Sequence, residues 1–369
     1  MRILTVSNTP HDSSQGSGYA ITGYTDRLRE RGHTVDAYGP ADWTWWEVQR
    51  GRRYFFSVMI AVFVFLNCRP WKYDLIELWG GPTWLLAISL RALNLETPIV
   101  HHSNGIEQHR VEVQRHSPVA DIQLTRWFQV DLSRFYDWGL HAADAIVTLC
   151  SYDVPYLRKR GYVPDDRVYA IESPLPEAFI GQSVDYDRPK RIGFCGHWTR
   201  VKGIHLLTSD LPPVLRENPE WTFSLVGVGD SDVKVQFPSD VRDQIEVISF
   251  LQRSELIEWY QSLAIFVLPS IYESFGLVMT EAMACGTALV ATNVGFANEL
   301  KHRDEAFILP TSQTPHLTEA LTTLVENESL RRTIARNGYD RVQELRWSEA
   351  VDRLESVYES LIADASPSA

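Results

Sequence analysis

Cysteine is scarce in this chain and is never closely spaced. Cys68, Cys150, Cys195 and Cys285 are scattered, with no C-x-x-C spacing. This argues against a disulfide framework or a zinc site and fits a reducing cytoplasm. Positive charge is also in deficit: 35 Lys and Arg stand against 47 Asp and Glu, a net charge of −12, which argues against a duplex nucleic-acid binder. Long apolar runs are missing too. The longest, residues 54–66, falls short of the ~20 residues that a spanning helix needs. The N-terminus, Met1-Arg2-Ile3-Leu4-Thr5-Val6-Ser7-Asn8, reads as a first strand rather than a signal peptide. A chain of 369 residues is too long for one typical core, so two domains are expected.

What is present is alternation. Residues 2–7, 34–38, 74–78, 98–102 and 144–149 read as strands, and a helix with Ile21, Tyr24 and Leu28 on one face ends at Arg31-Gly32. This is the pattern of a doubly wound α/β domain. Residues 173–190 hold Pro174, Pro176, Gly181 and Pro189 without a clear period and read as a crossover. A second series starts at Arg191, with strands at 191–196, 221–227, 245–248 and 264–268 and a closing helix over 348–362. The expected division is a first domain over 1–175, a linker over 176–190, a second domain over 191–345 and a terminal segment over 346–369. The apolar run 54–66 has two readings: a buried helix on the sheet, or a membrane-surface contact beside Trp43, Trp45, Trp46, Arg50, Arg52 and Arg53.

The most informative stretch is Pro269-Ser270-Ile271-Tyr272-Glu273-Ser274-Phe275-Gly276-Leu277-Val278-Met279-Thr280-Glu281. Two carboxylates eight positions apart flank a small-residue turn after an apolar strand, with a helix starting between them. A helix N-terminus after a parallel strand is an anion site, because its N–H groups and dipole favour a phosphate. Carboxylates on both sides of a diphosphate suit the hydroxyls of a nucleotide sugar.

This run, continued by Ala282-Met283-Ala284-Cys285-Gly286-Thr287 and on to Glu299-Leu300, resembles the E-x7-E signature of the retaining family-4 glycosyltransferases. Gly196-His197-Trp198-Thr199-Arg200-Val201-Lys202-Gly203 resembles their phosphate-gripping G-x5-K-G loop. The resemblance implies the α/β GT-B fold: two Rossmann-like doubly wound domains facing a central cleft, with the last helix crossing back to the N-terminal domain. It implies an acceptor-binding first domain and a nucleotide-sugar-binding second one. Donor contacts would come from Gly196, His197, Arg200, Lys202, Glu273, Glu281 and the backbone at Phe275, Gly276 and Leu277. Glu281 would hold the ribose, Glu273 the donor sugar, and Lys202 the departing diphosphate. No cofactor or metal is required. The donor would be a UDP-, GDP- or ADP-sugar and the acceptor a carbohydrate, lipid-linked or small-molecule hydroxyl. The expected location is the cytoplasm, with a peripheral contact at the inner face of a membrane as its extension.

Two departures stand out. His197 replaces the family's Arg, giving up a charged fork for an imidazole. Asn104 replaces the family's His before Gly105, and Asn cannot act as a titrating acid or base. His102 or His101 is expected to compensate, but strand alternation lets only one face the site. Catalytic candidates are therefore Glu273, Lys202, Asn104 and His102. Gly16, Gly18 and His11 are candidates for an acceptor or phosphate loop. Asp185-Tyr186-Asp187 and Asp230-Ser231-Asp232 spell D-x-D, a metal motif of a different transferase fold, and are not assigned to the site.

Overall fold

The computed structural model describes residues 1–12, 16–43, 55–117, 133–229, 232–310 and 316–365. The expectations placed on Trp45, Trp46, Arg50, Arg52, Arg53, Tyr54, Asp230 and Ser231 lie outside these residues. The described chain forms two compact units. One gathers 1–111, 133–174 and 347–365; the other gathers 112–117 and 175–346.

The first unit holds a parallel sheet of β1 (Arg2–Ser7), β2 (Thr34–Tyr38), β3 (Leu75–Trp79), β4 (Ile99–His102), β5 (Ala145–Thr148) and β6 (Val168–Ala170), in the order β2-β1-β3-β4-β5-β6. Strands β3, β4 and β5 are buried along their whole length, as strands covered on both faces are. Alternation divides the core. Ile3, Leu75, Trp79 and Val100 face the helices Gly16–Glu30 and Trp347–Ala365, while Leu4, Val6, Ile76 and Leu78 face Ile60, Val64, Leu86 and Leu90. The last helix thus belongs to the first unit, as expected. It is locked there by Trp347, whose indole donates to the Tyr19 hydroxyl at 2.7 Å. A Cβ on Gly23 would lie 2.1 Å from that indole, so only glycine lets the two helices meet there.

The second unit holds β7 (Arg191–Cys195), β8 (Thr222–Val226), β9 (Ile245–Ile248), β10 (Ile265–Leu268), β11 (Ala288–Thr292) and β12 (Phe307–Leu309), ordered β12-β11-β10-β7-β8-β9 and all parallel. Chain order reverses between β7 and β10. Open α/β sheets bind ligands outside the carboxyl ends of the strands at such a switch point. In the first unit the corresponding point lies between β1 and β3. Residues 175–190 lie on the second unit: Leu175 N–H donates to Leu345 O at 3.0 Å, and the Tyr339 hydroxyl donates to Gln182 O at 3.1 Å. The sequence reading missed β6 and β12, three residues each and too short to show a period, and also β11, five apolar and small residues that lie inside the continuation of the E-x7-E stretch.

Candidate functional site

Two loops meet at the β7/β10 switch point. The first leaves β7, runs through Gly196 to Gly203 and enters the helix Ile204–Glu217. The second leaves β10 and enters the helix Leu277–Ala284. They are stitched by Ile271 N–H donating to Val201 O at 2.7 Å. Gly203 holds φ at +74°, and a Cβ there would stand 1.9 Å from Pro269 O. Its absence lets the loops close.

Closure brings Lys202 to Glu273. Lys202 Nζ donates to Glu273 Oε1 at 2.7 Å, and Ser270 Oγ donates to the same oxygen at 2.7 Å. Glu273 is buried while Lys202 keeps 25% of its side chain exposed. Among the described residues Glu273 Oε2 accepts no hydrogen bond, which leaves one carboxylate oxygen for a ligand. Gly295 supports the loop from behind, with φ at +58° and no room for a Cβ beside Glu273 Cβ at 2.8 Å. Phe296 N–H also donates to Phe275 O at 2.8 Å.

Gly276 caps the helix Leu277–Ala284 with φ at +91°. The N–H groups that open a helix have no intrahelical acceptor, so Phe275, Gly276 and Leu277 present the backbone of an anion site. Glu281 lies one turn further on. It accepts from the Tyr260 hydroxyl at 3.2 Å. Desolvation raises its pKa to about 7, against the opposing effects of the Tyr260 hydrogen bond and the Arg253 charge. Desolvation also lifts the nearby Cys195 thiol to about 12, so it is neutral. His197 and Arg200 lie on the exposed side of the first loop.

The first unit gives a mixed result. Asn104 follows β4 and donates to Thr9 Oγ1 at 3.3 Å, joining the loops after β4 and β1. His102, expected to compensate for Asn104, is the last residue of β4. Alternation turns it to the face covered by the Trp347–Ala365 helix. There it is fully buried and stacked on Trp79 at 3.7 Å, with Nδ1 2.9 Å from Glu77 Oε1. Burial alone would raise the Glu77 pKa. The hydrogen bonds from His102 and Tyr358, with the His102 charge, outweigh burial and hold it low. Thr5 Oγ1 at 2.9 Å and the Tyr358 hydroxyl at 2.7 Å complete the network. His101 faces the other way, buried, its pKa lowered to about 4 by desolvation, and is therefore neutral near pH 7. Gly16 opens the first helix, and Gly18 is required because Asp12 O would sit 2.4 Å from a Cβ. That close approach explains Gly18 by packing. His11 is exposed beside Gly39. Asp187 N–H donates to Asp185 Oδ1 at 2.8 Å in a local turn.

Sequence reasoning missed Ser270, Tyr260 and Cys195 as partners of the two glutamates. It also missed the pair His109 Nδ1 to Asp153 Oδ1, 2.6 Å apart, in the first unit. Ser270 stood three residues before Glu273 and was legible as a neighbour. The others carry no spacing signal.

Residues 189–327 match the family model described as "Glycosyl transferases group 1". The chain is 26% identical over 239 residues to the phosphatidyl-myo-inositol mannosyltransferase of Mycolicibacterium smegmatis, covering 63% of this chain and 56% of that protein. It is 29% identical over 182 residues to D-inositol 3-phosphate glycosyltransferase 1 of Catenulispora acidiphila, covering 46% of this chain and 44% of that one. The chain thus spans about half the length of the curated relatives it matches. Among solved structures, sucrose-phosphate synthase from Thermosynechococcus elongatus superimposes with a TM-score of 0.78 at 20% identity, covering 98% of this chain and 99% of the other. HepE of Anabaena in complex with UDP superimposes with a TM-score of 0.70 at 16% identity, covering 98% and 100%. These likenesses establish the GT-B fold, with two Rossmann-like domains.

Proposed function

We propose that the chain is a retaining, metal-independent glycosyltransferase that moves a sugar from a nucleotide-diphosphate sugar to a hydroxyl acceptor. The observation that carries this reading is the Lys202–Glu273 pair at the β7/β10 switch point, followed by Glu281 on the helix that starts between the two carboxylates. The second unit takes the donor. Its diphosphate lies on the N–H groups of Phe275, Gly276 and Leu277, with Lys202 supplying the positive charge and His197 and Arg200 reaching in from the loop. Glu281 accepts from the ribose hydroxyls and Glu273 Oε2 from the donor sugar. As the glycosidic bond breaks, charge develops on the diphosphate, and Lys202 and the helix N–H groups stabilise it in place. The departing phosphate takes the acceptor's proton on the face it leaves, so no protein nucleophile is needed and Asn104 suffices where a histidine is absent.

A melting-temperature panel with UDP-, GDP-, ADP- and dTDP-sugars, with and without EDTA, tests this. A ligand held only by the folded state raises the midpoint by mass action. One clear stabiliser, indifferent to EDTA and consumed with added acceptor, is expected. Binding without hydrolysis or transfer would instead favour a nucleotide-sugar-binding homologue without turnover, a reading that the exposed His197 and Asn104 motivate. A rise that EDTA abolishes would overturn metal independence.

The acceptor side includes a membrane surface. The helix Phe56–Phe63 buries Ser57, Ile60 and Ala61 but leaves Val58 and Val62 exposed, as are Phe55 just before it and Leu66 in the following π-helical turn Val64–Cys68, the four between 49% and 77%. At spacings of three, four and four residues these side chains share one stripe. An apolar stripe on an otherwise packed helix suits shallow insertion at a bilayer interface. Among the described residues no helix is long and apolar enough to cross a membrane. Relatives named for phosphatidyl-myo-inositol and inositol phosphate fit a lipid-linked or small polar acceptor. Val58→Glu with Val62→Glu is expected to weaken binding to phosphatidylglycerol–phosphatidylcholine vesicles by about tenfold or more in a sedimentation assay. The donor-induced melting shift should be unchanged. Undiminished vesicle binding by the double variant would remove this surface from the reading.

A further inference from the structure

At the end of the second unit's sheet opposite Lys202 lies a cavity of about 130 Å³. Lys190 immediately precedes β7, Ala264 precedes β10 and Gly286 stands just ahead of β11, so the cavity sits at the amino ends of three strands. The Glu273 and Lys202 loops leave the carboxyl ends of two of those strands. The remaining wall is the first turns of the helix Glu328–Gln343 and the segment entering β7, including Arg188, Arg331 and Arg332. Four cations line the cavity against two acids, Asp187 and Glu328, in a chain whose net charge is −12, and one of the four, Lys190, is paired with Glu220 at 2.9 Å.

The two acids are engaged by Arg332, which reaches Glu328 Oε1 at 2.5 Å and Asp187 Oδ1 at 3.5 Å. Arg188 and Arg331 have no carboxylate within ion-pair reach among the described residues. Their donors go to main-chain carbonyls: Arg188 to Cys285 O at 2.6 Å, to Gln261 O and to Asp185 O, Arg331 to Leu324 O at 2.5 Å and to Val325 O at 3.3 Å. Arg331 is held further by the Trp221 ring, 5.2 Å from its guanidinium carbon. Arg332 Nε is buried and has no acceptor. Two half-buried guanidiniums are thus fixed in position and desolvated enough that burial lowers the pKa of each, against the weaker opposing charges of Asp185 on Arg188 and Glu328 on Arg331, neither of them in a direct ion pair. A guanidinium has five N–H donors in a rigid fork, so each keeps donors beyond those used to fix it.

We propose that this cavity is a second anion site, for a phosphate-class dianion. Its size admits a phosphate group and not a nucleotide. The bound anion would neutralise Arg188 and Arg331 together and tie the segment 186–190 to the helix Glu328–Gln343. Inorganic phosphate and the phosphate of a small phosphorylated metabolite share this chemistry. The inference does not need the donor reading, because the two sites lie at opposite ends of the strands β7 and β10.

The test uses the full chain in buffered saline at constant ionic strength, titrated with inorganic phosphate and, in a second arm, with glucose 6-phosphate. Melting temperature and calorimetric heat are read. A saturable rise with phosphate and none with chloride is expected. Lys190→Gln with Arg332→Gln, two positions at the rim, should weaken phosphate binding at least tenfold. Lys202→Ala should leave it unchanged. A stronger response to glucose 6-phosphate would identify a phosphorylated metabolite as the source, and an equal or weaker one the free ion. No saturable response to phosphate, or a response that Lys202→Ala abolishes and the double variant retains, would overturn the proposal.

Discussion

Lys202→Ala is expected to lower turnover at saturating donor by roughly 10²–10³-fold, the loss typical when one preorganised donor is taken from a developing oxyanion. Lys202 is tied to Glu273 at 2.7 Å, so the substitution also strands a carboxylate that is 8% exposed. Removing one partner of a fully buried ion pair costs ~3–5 kcal/mol. Lys202 is 25% exposed, and water reaching Glu273 in its absence reduces the cost to about 1–2 kcal/mol. Turnover and stability must therefore be separated. Lys202→Met combined with Glu273→Gln removes both charges and should recover most of the melting temperature, with Ser270 still donating to the amide oxygen. It should recover none of the turnover. If the double variant regained activity along with stability, Lys202 would be a structural lysine and the leaving-group role would fail. Full-rate transfer by Lys202→Ala would end it outright.

The difference between what was legible and what was not follows from sequence distance. Glu273, Gly276 and Glu281 lie in one strand–loop–helix unit, so their spacing alone places a carboxylate on each side of a helix N-terminus. Lys202 is 71 residues from Glu273, and no local period connects them. Its assignment came from resemblance, and the structure supplies the physical link through Gly203, whose missing Cβ admits Pro269 O. His102 shows where alternation stops being informative. A period of two says that His101 and His102 face opposite ways. Which face is closed depends on the helix Trp347–Ala365, which arrives from the far end of the chain with Tyr358 to meet Glu77. The partners of Glu281 were hidden for the same reason, since Tyr260 reaches it from the helix Arg253–Gln261 and Cys195 from the end of β7. The cavity at Arg188 and Arg331 was equally invisible, because its walls are assembled from four separate segments.

Glu281→Gln is expected to stabilise the protein at alkaline pH while damaging donor binding. The sign follows from the raised pKa. A carboxyl that titrates at about 7 when folded and near 4.5 when unfolded binds more protons in the folded state between those values. Stability therefore falls as pH rises through that window, and the full cost is present above pH 7. By the size of the shift it is on the order of 3 kcal/mol at pH 8. A glutamine at this position keeps an acceptor for the Tyr260 hydroxyl and carries no charge to bury. Its melting temperature should exceed that of the parent by about 4–8 °C at pH 8. The gain should shrink towards pH 5, where most of the parent's folded carboxyl is protonated. Donor binding should move the other way. Two ribose hydroxyls donating to an ionised carboxylate are charge-assisted bonds of ~1.5–3 kcal/mol each, and glutamine weakens both, so affinity should drop roughly 10- to 100-fold. Parent affinity should rise with pH through about 7, where Glu281 ionises, and the variant's should be flat across the same range. Equal melting temperatures at pH 8 would show that Glu281 ionises without cost in the folded chain. A stabilised variant with unchanged donor affinity would leave the buried carboxylate in place and take the ribose away from it.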